Sequence, residues 1–240
     1  MAANPSATSA STRTARARAA DEVGDPGLFI TLEGPDGSGK TSQAQALGQA
    51  LEAQGSHVVL VREPGGTDLG ERLRELLLHR EDLDIDPIAD AFLFNAARAQ
   101  LVADVIRPAL SAGQTVICAR YADSTLAYQG YGAAVDLGTL RTLERVATGG
   151  VKPDLTILLD LPVEVGLARK RRGSAPLSRF ESQVDVAFHR RARQGFLELA
   201  QAEPDRWLVI DASRPRAAVA RAVLAAVRSR GGRPRTTATI

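Results

Sequence analysis

The residues best placed to do chemistry in this chain are closely spaced glycines, one lysine beside them, and arginines that directly follow apolar runs. They are densest in Leu28-Phe-Ile-Thr-Leu-Glu-Gly-Pro-Asp-Gly-Ser-Gly-Lys-Thr41. Six strand-like residues lead into Gly34-x-x-x-x-Gly39-Lys40-Thr41, and a helical pattern follows with Ala44, Leu47 and Leu51 on one face and Gly55 as its stop. Gly34, Gly37 and Gly39 let the backbone curl until its N–H groups converge on phosphate oxygens, and the following helix N-terminus adds partial positive charge. Lys40 can then reach β- and γ-phosphates, and the Thr41 hydroxyl can ligate Mg²⁺. A plain glycine-rich turn between strand and helix would look similar. Composition separates the two: the chain has 27 Arg and only three Lys, at 40, 152 and 170. Such a chain has placed lysine where a compact ammonium is needed.

Further along, Arg62-Glu63-Pro64-Gly65-Gly66-Thr67 forms a tight, backbone-exposed loop after the second apolar run, a turn that by itself carries no assignment. Phe94 and Arg98 stand at i and i+4 and share a helix face. They fit either a nucleobase, stacked and hydrogen-bonded, or a core edge beside a solvated arginine. Arg120 ends the third run, where a guanidinium can neutralise the charge of two phosphate groups in a transfer reaction. After it, Ser124, Thr125, Tyr128 and Gln129 offer hydroxyls and an amide at helical spacing. The stretch 166–181 pairs a basic helix end with a Gly/Ser/Pro break and another arginine. It fits a lid closing on nucleotide phosphates or a solvated charged face.

The elements that must position these residues follow from periodicity. Five short apolar runs, 28–33, 57–61, 115–119, 155–159 and 207–210, are continuous rather than alternating, so each is a strand covered on both faces. Helical patterns separate them, at about 40–54, 69–78, 87–109, 136–148, 163–172, 183–202 and 215–229, with Phe92, Leu93, Ala96 and Ala97 as core positions of the third. Strand–helix alternation predicts a doubly wound, three-layer α/β fold whose ligands sit at the carboxyl ends of the strands. The length of 240 residues, 44% of them hydrophobic, suits one such domain. A net charge of +2 with no block of like charges argues against a nucleic-acid partner. No apolar run spans a membrane, and a single cysteine, Cys118, excludes an intrachain disulfide framework, so a cytoplasmic protein is expected. Residues 1–26, rich in Ala, Ser, Thr and Arg, read as a disordered extension or an organelle transit peptide, and 230–240 as a disordered tail. His57, His79 and His189 share no metal-like spacing and read as surface or structural residues.

Taken in order, Gly-Pro-Asp-Gly-Ser-Gly-Lys-Thr, Arg-Glu-Pro-Gly-Gly-Thr, Phe-x-x-x-Arg, Arg-Tyr-x-x-Ser-Thr-x-Ala-Tyr-Gln-Gly, Pro-Asp-Leu-Thr-x-x-Leu-Asp and a lid arginine resemble bacterial thymidylate kinase. The resemblance covers roughly residues 28 to 229. It implies a P-loop nucleoside monophosphate kinase with a five-stranded parallel sheet, flanking helices and a lid at about 169–181, occupying 27–229. It also implies Mg²⁺-dependent transfer of the ATP γ-phosphoryl group to dTMP, giving dTDP in dTTP supply, and a homodimer. Carried over by position, Gly34, Pro35, Asp36, Gly37, Ser38, Gly39, Lys40 and Thr41 hold the ATP phosphates, with Thr41 on the metal. Asp36 and Glu63 lie near the dTMP sugar and the metal, Pro64 belongs to the dTMP site, and Arg74 and Arg120 grip the dTMP phosphate. Phe94 stacks on thymine, Arg98, Thr125 and Gln129 bond its edge, and Tyr128 lies beneath the sugar. Glu63–Pro64 is expected to be cis. Gly37 stands where another branch of the family has an arginine, which assigns the catalytic arginine to the lid, with Arg169, Arg171 and Arg179 as candidates beside Lys40 and Arg120.

Three positions depart from the pattern. Ala119 replaces an Asp before Arg120, Ser178 an Asp before Arg179, and Ala133 an Arg after Tyr131 and Gly132. Ala119 removes a carboxylate near metal and acceptor. Because a nucleotide phosphate is already ionised and phosphoryl transfer relies mainly on positioning, weakened rather than abolished turnover is expected. The rival readings are a kinase of the same fold with another acceptor, and a nucleotide-binding protein that has lost turnover.

Overall fold

The computed structural model describes residues 27–173, 178–182 and 185–230. The expected extension 1–26, the tail from 231 and residues 174–177 of the expected lid lie outside the described residues. Five parallel strands, β1 (Phe29–Glu33), β2 (Val58–Arg62), β3 (Thr115–Ala119), β4 (Leu155–Asp160) and β5 (Trp207–Asp211), form one sheet in the order β2-β3-β1-β4-β5. Central β1 is buried at every position, its polar Thr31 and Glu33 included, whereas the edge strands β2 and β5 are only partly covered. Register brings Leu32 opposite Ala119 and Ala119 opposite Arg62, so three strand ends meet along one edge.

Each sheet face is closed by apolar stripes of helices. On one face α1 (Lys40–Glu52) brings Leu47 and Leu51, and a helix near the C-terminus brings Val219 and Val223, onto Ile30, Leu32, Ile117 and Ile157. On the other, α2 (Asp68–His79) and α3 (Pro87–Leu101) run into a π turn (Val102–Ile106) and α4 (Arg107–Ser111). Leu101, Val102 and Ile106 there pack on Phe29, Val116 and Tyr121. The π turn has a local cause: Pro108 carries no N–H, so the regular ladder cannot continue through it. Each fully buried Leu, Ile or Phe in these clusters contributes roughly 1.5–3 kcal/mol.

A helical segment that periodicity did not delimit follows β3: α5 (Ala122–Thr125) continues as a π helix over Leu126–Gly132. With α6 (Leu137–Thr148) and α9 (Val186–Ala202) it builds a third cluster, in which Tyr128, Leu140, Phe188 and Phe196 surround Leu158 and Trp207. Between these lie α7 (Val163–Arg172) and the single turn α8 (Arg179–Ser182), and α10 (Arg216–Arg230) closes the described chain. Arg230, expected in the tail, ends α10. One core expectation is corrected. Phe92 is 56% exposed and Ala96 is exposed, while Ala91, Asn95, Arg98 and Leu101 face inward. The segment is apolar nearly all round, so only packing decides which face turns in. Among the described residues no helix is long and apolar enough to cross a membrane.

Candidate active site

At the carboxyl edge of the sheet, where ligands are expected in this topology, a cavity of about 390 Å³ opens. One wall is the loop after β1. Gly34, Gly37 and Gly39 have φ of 135°, 75° and 91°, which side-chain-bearing residues rarely adopt. Gly37 has a second reason: a Cβ there would stand 2.1 Å from the Gly166 carbonyl oxygen, so α7 packs directly on the loop. Lys40 Nζ donates to the carbonyl oxygens of Gly34 and Pro35 at 2.8 Å each and to Ser38 Oγ at 3.3 Å. These acceptors hold an ammonium in the cradle. Burial and then the nearby Arg120 charge pull its pKa down to about 7. Asp36, Gly37, Gly39, Lys40 and Thr41 all line the cavity.

Arg120 stands at the cavity's centre. It follows β3 with φ 71°, an uncommon value for an L residue. Its guanidinium pairs with Asp36, reaches Ser124 Oγ at 3.3 Å, and lies 5.0 Å from the centre of the Tyr128 ring. Tyr128 donates its hydroxyl to Asp36 Oδ2 at 3.0 Å. Burial alone would raise the Asp36 pKa, but Arg120, Lys40 and the Tyr128 hydroxyl outweigh it and keep the carboxylate ionised. Behind Arg120, Glu33 is fully buried, and burial together with Asp123 lifts its pKa to about 7.

Phe94, Arg98, Thr125, Tyr128 and Gln129 also line the cavity, as do Glu63, Pro64 and Arg74. The Glu63–Pro64 bond is cis, as expected. Arg98 is not solvated: it is 1% exposed and bonds Glu63 (2.8 Å), Asn95 Oδ1 (3.0 Å), Thr125 Oγ1 (3.1 Å) and the Tyr121 carbonyl (3.2 Å). Glu63 Oε1, by contrast, is buried without a hydrogen-bond partner among the described residues. Arg74 donates to the Pro64 carbonyl at 2.9 Å.

The basic segment behaves differently from expectation. Arg169 donates to the carbonyls of Ala212 (2.9 Å) and Ser213 (3.4 Å), beyond the loop, and does not line the cavity. Arg171 is exposed and does not line it either. Arg179 is buried, paired with Asp90 Oδ1 at 2.6 Å and bonded to the Leu77 carbonyl at 3.3 Å. Neither Arg169 nor Arg179 faces the phosphate loop, because acceptors on neighbouring elements already hold them. The cation of this segment that lines the cavity is Lys170, joined by Ser178 and by Phe180, whose ring lies 6.1 Å from Phe94. His189 is also beside the site: buried on α9, it sits 3.9 Å from Asp36 and donates through Nε2 to the Phe180 carbonyl at 3.0 Å. No spacing rule pointed to it, nor to Glu33 or Lys170. For Glu33 a cue was its place as the last strand residue before the glycines.

A family model described as thymidylate kinase matches residues 32–223. The chain is 53% identical over 205 residues to the thymidylate kinase of Deinococcus radiodurans, covering 85% of this chain and 98% of that protein. With the thymidylate kinase of Thermomicrobium roseum it is 54% identical over 199 residues, 83% of this chain and 93% of the other. A crystal structure of thymidylate kinase from Ehrlichia chaffeensis superposes with a TM-score of 0.68 at 34% identity, covering 84% of this chain and 99% of that one. The matched span runs from within β1 into α10 and takes in every residue that lines the cavity: the chain belongs to the thymidylate kinase family.

Proposed function

We propose the following division of labour in the reaction of this family, transfer of the ATP γ-phosphoryl group to dTMP to give dTDP. The observation that carries it is a cavity lined both by the glycine loop and by Phe94, Thr125, Tyr128 and Gln129, with Arg120 touching Asp36 of the loop and Ser124 and Tyr128 of the helical segment. Gly34 to Thr41 bind the ATP phosphates. Lys40 exchanges its bonds to the Gly34 and Pro35 carbonyls for phosphate oxygens. Arg120 exchanges Asp36 for the acceptor phosphate, with Arg74 as a second cation. Phe94 stacks on thymine. Arg98 has already committed most of its donors and offers the base one remaining Nη1 N–H beside Thr125 and Gln129. Tyr128, tied to Asp36, lies beneath the sugar with Glu63 and Pro64 nearby. An ionised oxygen of the acceptor phosphate attacks the γ-phosphorus, the bond to the β-phosphate oxygen breaks, and ADP leaves with that electron pair.

Mg²⁺ fits this donor set. Among the described residues no cluster of His, Cys, Asp or Glu forms a metal cage. Thr41 and Glu63, whose Oε1 is orphaned, both line the cavity, which suits an ion that keeps its waters and shares itself with phosphates. When bound it would neutralise phosphate charge, held by Thr41. We place the kinase unit at 27–229, with Lys170 as its lid cation. We also read the protein as a cytoplasmic homodimer: Cys118 is free and buried, and Phe92 and Leu69 leave apolar surface on α3 and α2.

A coupled ADP-release assay with dTMP, dUMP and dGMP tests the reading. Turnover with dTMP, less with dUMP and none with dGMP is expected; no dTMP-dependent ADP release overturns it. Arg98→Ala also strands the buried Glu63, so Phe94→Ala is the cleaner probe of the base wall. It raises KM for dTMP well above any change for ATP.

A further inference from the structure

Glu33 has no exposed surface and does not line the cavity. Its carboxylate nevertheless takes two bonds from the segment that carries Arg120. Oε1 accepts from the Tyr121 backbone N–H at 2.7 Å, and Oε2 accepts from Ser124 Oγ at 2.6 Å. Tyr121 is the next residue after Arg120, and Ser124 accepts from Arg120 Nη1 at 3.3 Å. One carboxylate therefore restrains both the backbone and the guanidinium of Arg120. That backbone needs restraint, because φ at Arg120 is 71° and a non-glycine residue keeps such a conformation only when its surroundings over-determine it. Other ties there are Arg120 N–H to the Leu32 carbonyl (3.0 Å) and Cys118 Sγ to the Arg120 carbonyl (2.8 Å), while after the turn the Tyr121 carbonyl accepts from Arg98 Nη2 (3.2 Å) and the Ser124 N–H (3.0 Å). Glu33 is the side chain that holds the Tyr121 N–H, the first donor after the turn, and it also reaches the hydroxyl that the guanidinium bonds.

We propose that Glu33 is the positioning residue for Arg120: it captures Tyr121 N–H and the Ser124 hydroxyl and so holds the left-handed turn that aims the guanidinium across the cavity. The residue types fit. Two donors, an amide and a hydroxyl, converge on Glu33, and a carboxylate is the side chain that accepts both without offering a competing donor. The role gains weight from Ala119. That position, in register with Leu32 and lining the cavity, has no carboxylate to brace the neighbouring arginine, so the restraint comes from the adjoining strand. This inference rests on the reading that Arg120 holds the acceptor phosphate.

The test compares dTMP with thymidine, which shares the base and sugar and lacks the phosphate. Calorimetric affinities for both are measured on the full chain, on Glu33→Ala, Glu33→Gln and Arg120→Gln, alongside KM for ATP. Glu33→Ala should weaken dTMP roughly ten- to a hundredfold, the effect of losing one or two charge-assisted bonds, and move thymidine affinity and KM for ATP by less than about threefold. Glu33→Gln keeps one acceptor for Tyr121 N–H and should fall between wild type and Ala; it carries the same comparison if the alanine variant does not fold. Equal loss of dTMP and thymidine affinity overturns the proposal, since a merely structural role would move both. Unchanged dTMP affinity in Arg120→Gln overturns the phosphate assignment on which it rests. A weakened Arg120→Gln with an unaffected Glu33→Ala overturns the role of Glu33 alone.

Discussion

The phosphate loop at 34–41 and the basic segment at 166–182 read alike in sequence, both combining glycines and serines with cations next to a helix. The structure treats them in opposite ways. In the loop, the residue types fix the conformation locally: three glycines take positive φ, and Lys40 folds back on carbonyls five and six residues earlier in the chain. In the basic segment, two arginines go to partners far away in sequence, Arg179 to Asp90 and Leu77, Arg169 to Ala212 and Ser213. A cation in a backbone cradle is placed by its neighbours in the chain. A cation on a long side chain at a helix end is placed by whichever acceptor the fold brings near.

The sharpest test of that contrast is Lys40→Met. It should lower phosphoryl transfer by on the order of a thousandfold or more, since nothing else in the cradle can replace the charge on the β- and γ-phosphates. The fold should survive and be more stable at neutral pH. The sign follows from linkage: the folded-state pKa of Lys40, about 7, lies below its unfolded value, so the unfolded chain binds the extra proton. Wild-type stability therefore rises with pH above about 7 until the unfolded lysine also deprotonates, and the variant loses that slope. Denaturant melts of both proteins at pH 7 and pH 9 check this; a slope retained in Lys40→Met would break the assignment.

On the other side of the comparison, Asp90→Ala strands a buried guanidinium and should cost about 3–5 kcal/mol of stability, read from the urea midpoint. A shift under about 1 kcal/mol would mean that Arg179 readily finds other partners and is not anchored by Asp90. Ala119→Asp is smaller and of opposite sign for activity. A carboxylate returned between the ends of β1 and β2 should raise kcat roughly ten- to a hundredfold and lower the Mg²⁺ requirement, the worth of one charge-assisted interaction. An unchanged rate across a Mg²⁺ titration would mean that the strand-end geometry has already adjusted to alanine. The smallest effect is expected for Arg169→Ala, which loses bonds to two carbonyls and should cost about 1 kcal/mol of stability. A thousandfold drop in kcat there would show that the arginine leaves those carbonyls for the phosphates during turnover.

Much of the architecture was legible because it is encoded in short windows. The five apolar runs became five parallel strands, β3 with the expected bounds and the others within one or two residues. The glycine loop sits where strand-to-helix chemistry required it, and Phe94, Arg98, Thr125, Tyr128 and Gln129 line the same cavity as that loop. What could not be read is of another kind. Phe92 and Ala96 belong to a helix apolar on most faces, so the sequence contains no vector saying which face is inward. Glu33 looks like the last residue of a strand until Tyr121 and Ser124, 88 and 91 residues later, arrive on its two oxygens. His189 looks unremarkable until α9 carries it to Asp36. The sequence by itself determined the five strands, their order along the chain and the glycine-loop geometry, because strand burial, glycine φ preferences and helix starts act between near neighbours in the chain. The tertiary structure alone decided which charges pair and which remain for substrate, because a long side chain is claimed by the nearest acceptor in space and sequence distance does not report it.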